Sequence, residues 1–176
     1  CAKGLMTAKI LLMSDIYITE PGTQIIGLDP AARFQSCLDH AAQHHADAAH
    51  LFYGSLAHHG GVAQYEILKH YLADQPFTTT LMLGSHDRRR AFAEVFPEFA
   101  AGFRQGRHSF GGTDVLYLDT LDEQACDRHS GHLCIERLDW LKTQLETGKG
   151  PVIILSHHHM LHSGFDGMDA IHLRNG

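Results

Sequence analysis

The sequence has little positive charge. Its 14 lysines and arginines stand against 20 aspartates and glutamates, which gives a formal net charge of −6 with neutral histidines. A nucleic-acid polymer is bound through a basic surface, so we do not expect one as a partner. The sequence also lacks a run of roughly 18 apolar residues, the length of a membrane span, and its start lacks the pattern of a signal peptide. We therefore expect a cytoplasmic protein with no membrane partner.

Cysteine is scarce as well. Four cysteines occur, none of them in C-x-x-C spacing, so we expect reduced thiols rather than a disulfide framework. A bridge between Cys126 and Cys134 is an alternative that the sequence leaves open. Histidine, in contrast, is abundant, with 16 residues, several of them in the stretches "LAHHGG" and "SHHHMLHSG". Because imidazole is a common metal ligand and acid–base group, some of these histidines are candidates for a functional site, while others suit a solvated surface.

The first half of the chain alternates between strand-like and helix-like patterns. Its short apolar runs are typical of buried strands, and the segments between them repeat apolar residues at helical spacing. Such alternation predicts a parallel sheet whose ligand sites lie beyond the carboxyl ends of the strands. A chain of 176 residues with 44% hydrophobic content has the size of one domain, spanning residues 1–176. The predicted strands are 8–14, 47–53 and 76–83, and the predicted helices are 29–45 and 62–74.

The pattern changes in the second half. Residues 107–120 predict a hairpin that turns at Gly111-Gly112 and adds an antiparallel part or a second sheet. Residues 134–147 predict an amphipathic helix, and residues 151–156 predict a last buried strand. The fold class that the whole pattern indicates is α/β.

Polar residues come after four of the predicted strands. Oxygen and nitrogen donors that separate parallel strands deliver to one sheet edge are what a site for several metal ions needs, since each strand holds its ligand rigidly. The residues at these strand ends are Asp15, Gly54-Ser55, Gly84-Ser85-His86-Asp87 and His157-His158-His159.

The order of these stretches resembles the motif series of the calcineurin-like metallophosphoesterases, in which successive strands end in D-x-H, G-D, G-N-H-D or G-N-H-E, a lone H, and finally G-H-x-H. The corresponding stretches here are "SDIYIT", "YGSLAHHGG", "LGSHDRR" and "LSHHHMLHSGFDGMD". The "HDRR" continuation and the "HH…G…MD" ending are most similar to the bacterial branch that hydrolyses cyclic nucleotides and glycerophosphodiesters. The resemblance covers residues 8–176 and implies an αββα sandwich, with two sheets between layers of helices.

The resemblance also implies roles for individual residues. It implies a centre of two manganese, iron or zinc ions holding a hydroxide that attacks phosphorus. By motif position, Asp15 and His157 are retained metal ligands. His86 is the implied catalytic residue that faces the phosphate and assists the leaving oxygen, and Asp87 is the residue that orients its imidazole.

Other interpretations of these residues stay open at this point. An aspartate after a strand commonly caps a loop, and His86 is compatible with a solvated turn. His58 and Arg88 are candidates for binding the substrate, with a solvated surface position as the alternative for each.

Three positions depart from the motif series of the family. Tyr17 stands where the family has a histidine ligand, Ser55 where it has the aspartate that bridges both metals, and Ser85 where it has an asparagine ligand. A neutral hydroxyl supplies no negative charge to offset the repulsion between two cations, so we expect low metal occupancy. The final G-H-x-H has no counterpart, which predicts a C-terminally incomplete sandwich whose uncovered edge favours a homodimer.

The sequence thus predicts a metal-dependent phosphodiesterase for small phosphodiesters, such as cyclic nucleotides or glycerophosphodiesters, with impaired activity. The alternative is a non-catalytic pseudoenzyme or an inactivated fragment that keeps the scaffold. A third hypothesis is a histidine-rich metal-binding module around residues 157–162, which is less favoured because the order of the motifs would then be accidental.

Overall fold

The structure, a computed structural model, describes residues 8–48, 50–73, 75–125 and 129–175. Its first half forms a parallel three-stranded sheet in the order β1-β2-β3. This arrangement confirms the three strands and two helices predicted for this half; each is shorter than predicted, and β2 is shifted to end one residue later, at Gly54. The elements are β1 (Ile10–Met13), α1 (Pro30–His44), β2 (His50–Gly54), α2 (Val62–Leu72) and β3 (Thr79–Met82).

Helix α1 begins at a cap that the sequence supplies. A carboxylate oxygen of Asp29 accepts hydrogen bonds from the backbone N–H groups of Ala31 and Ala32, at 2.9 and 3.1 Å. Pro30 stands in the first turn, where no carbonyl would have accepted a hydrogen bond from its backbone nitrogen. The helix therefore starts at Pro30, directly after the Asp29 cap, as predicted.

The second half of the chain forms a second sheet, in the order β4-β5-β6. The β4–β5 pair is antiparallel and turns at Gly111 and Gly112, whose φ angles of 58° and 90° favour glycine. The β5–β6 pair is parallel, so the predicted hairpin, helix and final strand are all present. The elements are α3 (Arg89–Val95), a 3₁₀ turn (Pro97–Phe99), β4 (Gly106–Phe110), β5 (Thr113–Tyr117), α4 (Ile135–Thr147), β6 (Val152–Leu155) and α5 (Asp166–Asp169).

The two sheets pack against each other through alternate residues of their strands. Phe52 and Met82 from the first sheet form one buried cluster with Val115 and Tyr117 from the second sheet. The neighbouring Tyr53 belongs to a different cluster, which joins the first sheet to helices α1, α2 and α3. Because successive side chains of a strand point to opposite faces, the first sheet lies between these helices and the second sheet. The α/β class is therefore confirmed.

Strand β6 pairs with β5 on one side, and in the part of the chain that the structure describes no strand pairs with its other side. Ile153 and Ile154 on this edge strand are 44% and 39% exposed. The homodimer expected from an uncovered edge stays a prediction. Among the described residues, no helix has the length and apolarity needed to cross a membrane. The alternative bridge from Cys126 involves a residue outside the described ranges.

Candidate functional site

A cavity of about 610 Å³ lies at the carboxyl ends of β1, β3 and β6. Polar side chains that come after these three strands converge on it, as the parallel topology leads one to expect. The structure therefore brings together residues that are far apart in the sequence. Those from the predicted set that line the cavity are Asp15, Tyr17, Ser85, His86 and His157.

The backbone at this edge is held in an uncommon conformation. Asp15, Tyr17 and Ser55 have φ angles of 54°, 49° and 49°, the left-handed region that few non-glycine residues adopt. The backbone N–H of Tyr17 donates to the carbonyl of Ser55 at 3.0 Å, which ties the two segments together. Left-handed non-glycine residues concentrate at functional sites because the surrounding structure must enforce them. The clustering of three such residues therefore marks this edge as the candidate site.

Ser55 lies buried beside His157 and is not among the residues that line the cavity. Its side-chain oxygen lies 3.0 Å from Nδ1 of His157, and the residue is fully buried. Burial lowers the pKa of His157, the Asp15 carboxylate opposes this shift, and His86 adds to it. The Ser55 contact engages Nδ1 and leaves Nε2 as the imidazole nitrogen available to a ligand.

His86 is oriented by a backbone carbonyl. Its Nδ1 donates to the carbonyl oxygen of His58 at 2.7 Å, which fixes the tautomer and leaves Nε2 for the cavity. The rings of His58 and His86 stack at 5.5 Å between centroids, and Tyr17 packs edge-on against His86 at 5.0 Å. His86 thus lies in the cavity wall with one nitrogen held and the other available.

The structure holds the His86 imidazole through the His58 carbonyl, and the role expected for Asp87 in orienting that imidazole stays a prediction. The Asp87 carboxylate is fully buried and accepts four hydrogen bonds, none of them from His86. Burial raises the pKa of Asp87, and these hydrogen bonds oppose the shift. Asp87 therefore holds the strand-end loops together rather than acting on a ligand. Its donors are the backbone N–H groups of Leu56, Ala57 and Gly84 and the hydroxyl of Tyr65, at 2.8 to 3.1 Å.

The two substrate-binding candidates do not line the cavity. The guanidinium of Arg88 donates to the carbonyl of Asp87 at 3.1 Å, and its alkyl chain lies against Gly60. His58 lies behind His86 as its stacking partner, so both residues support the site from outside. Burial, together with the nearby His59 and His86, lowers the pKa of His58.

Sequence reasoning did not identify the apolar wall of the cavity. Phe52 and Met82 reach it from within β2 and β3, whereas Met168 and Ile171 reach it from the segment after β6. The two strand residues occupy alternate positions of apolar runs, a signal for burial and not for a site. No sequence signal places Met168 and Ile171 there, because their position depends on how the segment folds back.

The family resemblance implies two metal ions, which need several anionic or imidazole ligands at the site. Ser55 and Ser85 offer neutral hydroxyls, and burial together with the Asp15 carboxylate raises the pKa of the Tyr17 hydroxyl, which keeps it protonated. Within residues 8–48, 50–73, 75–125 and 129–175, no three histidine, cysteine, aspartate or glutamate side chains are placed to hold a metal ion. The residues present do not fit a centre of two cations.

The chain is similar to two curated proteins over nearly its whole length. It is 36% identical to a probable cyclic nucleotide phosphodiesterase of Rhodopseudomonas palustris, over 95% of this chain and 63% of that protein. It is 26% identical to a probable cyclic nucleotide phosphodiesterase of Synechococcus, over 99% of this chain and 67% of that protein. The chain therefore spans a little under two thirds of the length of the first relative. No protein-family model matches the chain.

Gly84 is predicted to be irreplaceable by alanine. A Cβ at this position would meet the side-chain oxygen of Ser55 and lie 2.9 Å from the imidazole of His157, contacts that well-packed structures do not accommodate without movement. Gly84→Ala should therefore lower the free energy of unfolding by about 1–3 kcal/mol, measured by urea denaturation. Gly54→Ala is the matched control, because a Cβ there has no neighbour within 4 Å. Equal stability of the two variants would contradict the close packing around His157.

Proposed function

We propose that this chain is a phosphodiesterase-type domain of the calcineurin-like metallophosphoesterase kind, which binds a small phosphodiester in the cavity at the strand ends. The observation that carries the proposal is the convergence of Asp15, His86 and His157 from three strands on one cavity. The similarity to two proteins named as probable cyclic nucleotide phosphodiesterases supports the reaction class. A cyclic nucleotide or a glycerophosphodiester is the proposed substrate, whereas a nucleic-acid polymer or a membrane is not.

The polar and the apolar side chains that line the cavity suit different parts of such a ligand. The hydroxyls of Tyr17 and Ser85 supply donors for phosphate oxygens. Nε2 of His86 donates when its imidazole is doubly protonated, and Nε2 of His157 donates when the Ser55 hydroxyl donates to Nδ1. Nδ1 of His86 keeps its proton on the His58 carbonyl, so Nε2 is proposed to protonate the leaving oxygen from the doubly protonated imidazolium, which then becomes the neutral imidazole with its proton on Nδ1. The apolar wall excludes water and packs against the organic group of the ester. That wall consists of Leu12, Phe52, Met82, Leu155, Met168 and Ile171.

We further propose that hydrolysis by this chain is slow. In a two-metal phosphodiesterase, the ions generate the nucleophile and stabilise the attacked phosphate. The neutral hydroxyls of Ser55 and Ser85 leave the site without donors for two ions, which favours the second candidate function, a non-catalytic protein that keeps the scaffold and binds the phosphodiester.

The test is hydrolysis and binding of bis-p-nitrophenyl phosphate. We expect turnover that is weak but above the no-protein control, and a loss of at least tenfold in His86→Ala. His44→Ala, on the exposed surface of α1, is the control and should match the unaltered protein. Equal rates for His86→Ala and the control would contradict catalysis at this cavity. Binding without turnover, lost in His86→Ala, would establish the non-catalytic candidate instead.

A further inference from the structure

We infer that the Ser55 hydroxyl takes the place of a metal ion beside His157, so that this cavity binds its phosphodiester without a cation. The inference deepens the proposed function and rests on it for the identity of the ligand. The residues at the site do not supply the ligands of the two-metal centre that the family resemblance implies.

The side chains of Ser55 and His157 form a direct hydrogen bond. The side-chain oxygen of Ser55 lies 3.0 Å from Nδ1 of His157, within the range of an ordinary hydrogen bond. Ser55 is fully buried, and the backbone of Gly84 lies directly against both side chains. The ring nitrogen that faces Ser55 is therefore satisfied by a protein group, with no coordination position left at that atom.

The charge around the cavity also fits an anion better than two cations. Asp15 is the one carboxylate among the described residues that line it, and it already accepts a hydrogen bond from the Ser14 hydroxyl at 2.8 Å. The carboxylate of Asp87 points away, onto backbone N–H groups. The polar groups that remain at the wall are hydroxyls and imidazoles, which suit the single negative charge of a phosphodiester when each imidazole carries a proton on the nitrogen that faces the cavity.

The residue at position 55 determines whether the site is held by a hydrogen bond or binds a cation. An aspartate there would place a carboxylate next to His157 and close to Asp15, which supplies the charge and the oxygen ligands that a divalent cation needs. The exchange of this one side chain should therefore convert a hydrogen-bonded site into a cation-binding site.

The first measurement is binding of bis-p-nitrophenyl phosphate by calorimetry, in EDTA and in excess Mn²⁺. We expect dissociation constants that agree within about twofold. A loss of tenfold or more in EDTA would overturn the inference. Absence of binding under both conditions would contradict the proposed function, and titration with Mn²⁺ alone would then decide the role of Ser55 by itself.

The second measurement is binding of Mn²⁺ alone to the protein and its variants. The unaltered protein should bind Mn²⁺ no more tightly than His157→Ala does. Ser55→Asp should bind Mn²⁺ at least tenfold more tightly than the unaltered protein. The double variant Ser55→Asp/His157→Ala should lose this gain in affinity. Ser36→Asp, the same change at an exposed position of α1, should gain nothing. Tight Mn²⁺ binding by the unaltered protein that His157→Ala removes would overturn the inference.

A third measurement keeps the inference testable if Ser55→Asp does not fold. Ser55→Ala removes only the hydroxyl, and we expect it to leave the fold intact, which circular dichroism would check. We expect the ¹⁵N resonances of the His157 ring to indicate one dominant tautomer in the unaltered protein and a mixture in Ser55→Ala. Identical ring resonances in the two proteins would contradict the assignment of Ser55 as the group that positions His157.

Discussion

Replacement of Asp87 by alanine is expected to lower the free energy of unfolding by about 3 kcal/mol or more. Three backbone N–H groups and the Tyr65 hydroxyl donate to this buried carboxylate. Alanine would leave all of these donors buried without an acceptor, and each unsatisfied donor costs about 1–3 kcal/mol in mutational series. Urea denaturation followed by circular dichroism measures the loss.

Two further variants separate this explanation from a general effect of removing an acidic residue. Asp39→Ala, on the exposed face of α1, removes a single hydrogen bond from Gln35 and should change the stability by about 0.5 kcal/mol or less. Asp87→Asn keeps one oxygen as an acceptor and should lie between Asp87→Ala and the unaltered protein. A loss for Asp87→Ala no greater than that for Asp39→Ala would contradict the role assigned to this carboxylate.

The candidate site could be located from the sequence because the ends of buried strands can be predicted from it. Short apolar runs bounded by polar residues predict buried strands, and parallel strands bring the residues at their carboxyl ends to one edge of the sheet. Asp15, His86 and His157 all come directly or within a few residues after such a run, and all line the same cavity. Their order along the chain was therefore enough to place them together without knowledge of any contact.

The contacts of these residues could not be read from the sequence. Asp87 comes directly after His86, which suggests a pair, but its acceptor capacity is taken up by backbone groups whose need for a partner arises only in the folded loops. The bond from Ser55 to His157 likewise joins residues 102 positions apart. Hydrogen bonds of this kind depend on the ångström-scale approach of strand ends, which residue type and spacing do not determine.

The histidines between the two sheets were also beyond prediction. His50 lies at the start of β2 and His108 within β4, and their rings lie 4.4 Å apart. The Thr80 hydroxyl joins them, at 2.7 Å from Nε2 of His50 and 2.9 Å from Nε2 of His108. In the sequence both residues are polar positions within predicted strands. Nothing in the sequence shows that the other sheet covers them.

This pair predicts that acid weakens the packing of the two sheets. Burial, with a smaller contribution from His108, lowers the pKa of His50 from 6.5 to about 4, and burial and Arg104 lower the pKa of His108. Because the folded protein holds His50 neutral while the unfolded chain protonates it near pH 6.5, the stabilisation is complete above that pH. It is lost as the pH falls toward 4, since the unfolded state then binds more protons.

The expected size of the effect makes it measurable. For the pKa values of His50, the free energy of unfolding should fall by about 2 kcal/mol between pH 7 and pH 5 from this residue alone. His50→Gln keeps a polar group that reaches Thr80 but cannot be protonated, so its stability should depend less on pH by that amount. His44→Gln, at an exposed position of α1, should leave the pH dependence unchanged. Urea denaturation at both pH values measures the free energy of unfolding of the three proteins. If this free energy changed equally with pH in His50→Gln and in the unaltered protein, protonation of His50 would not disturb the contact between the sheets.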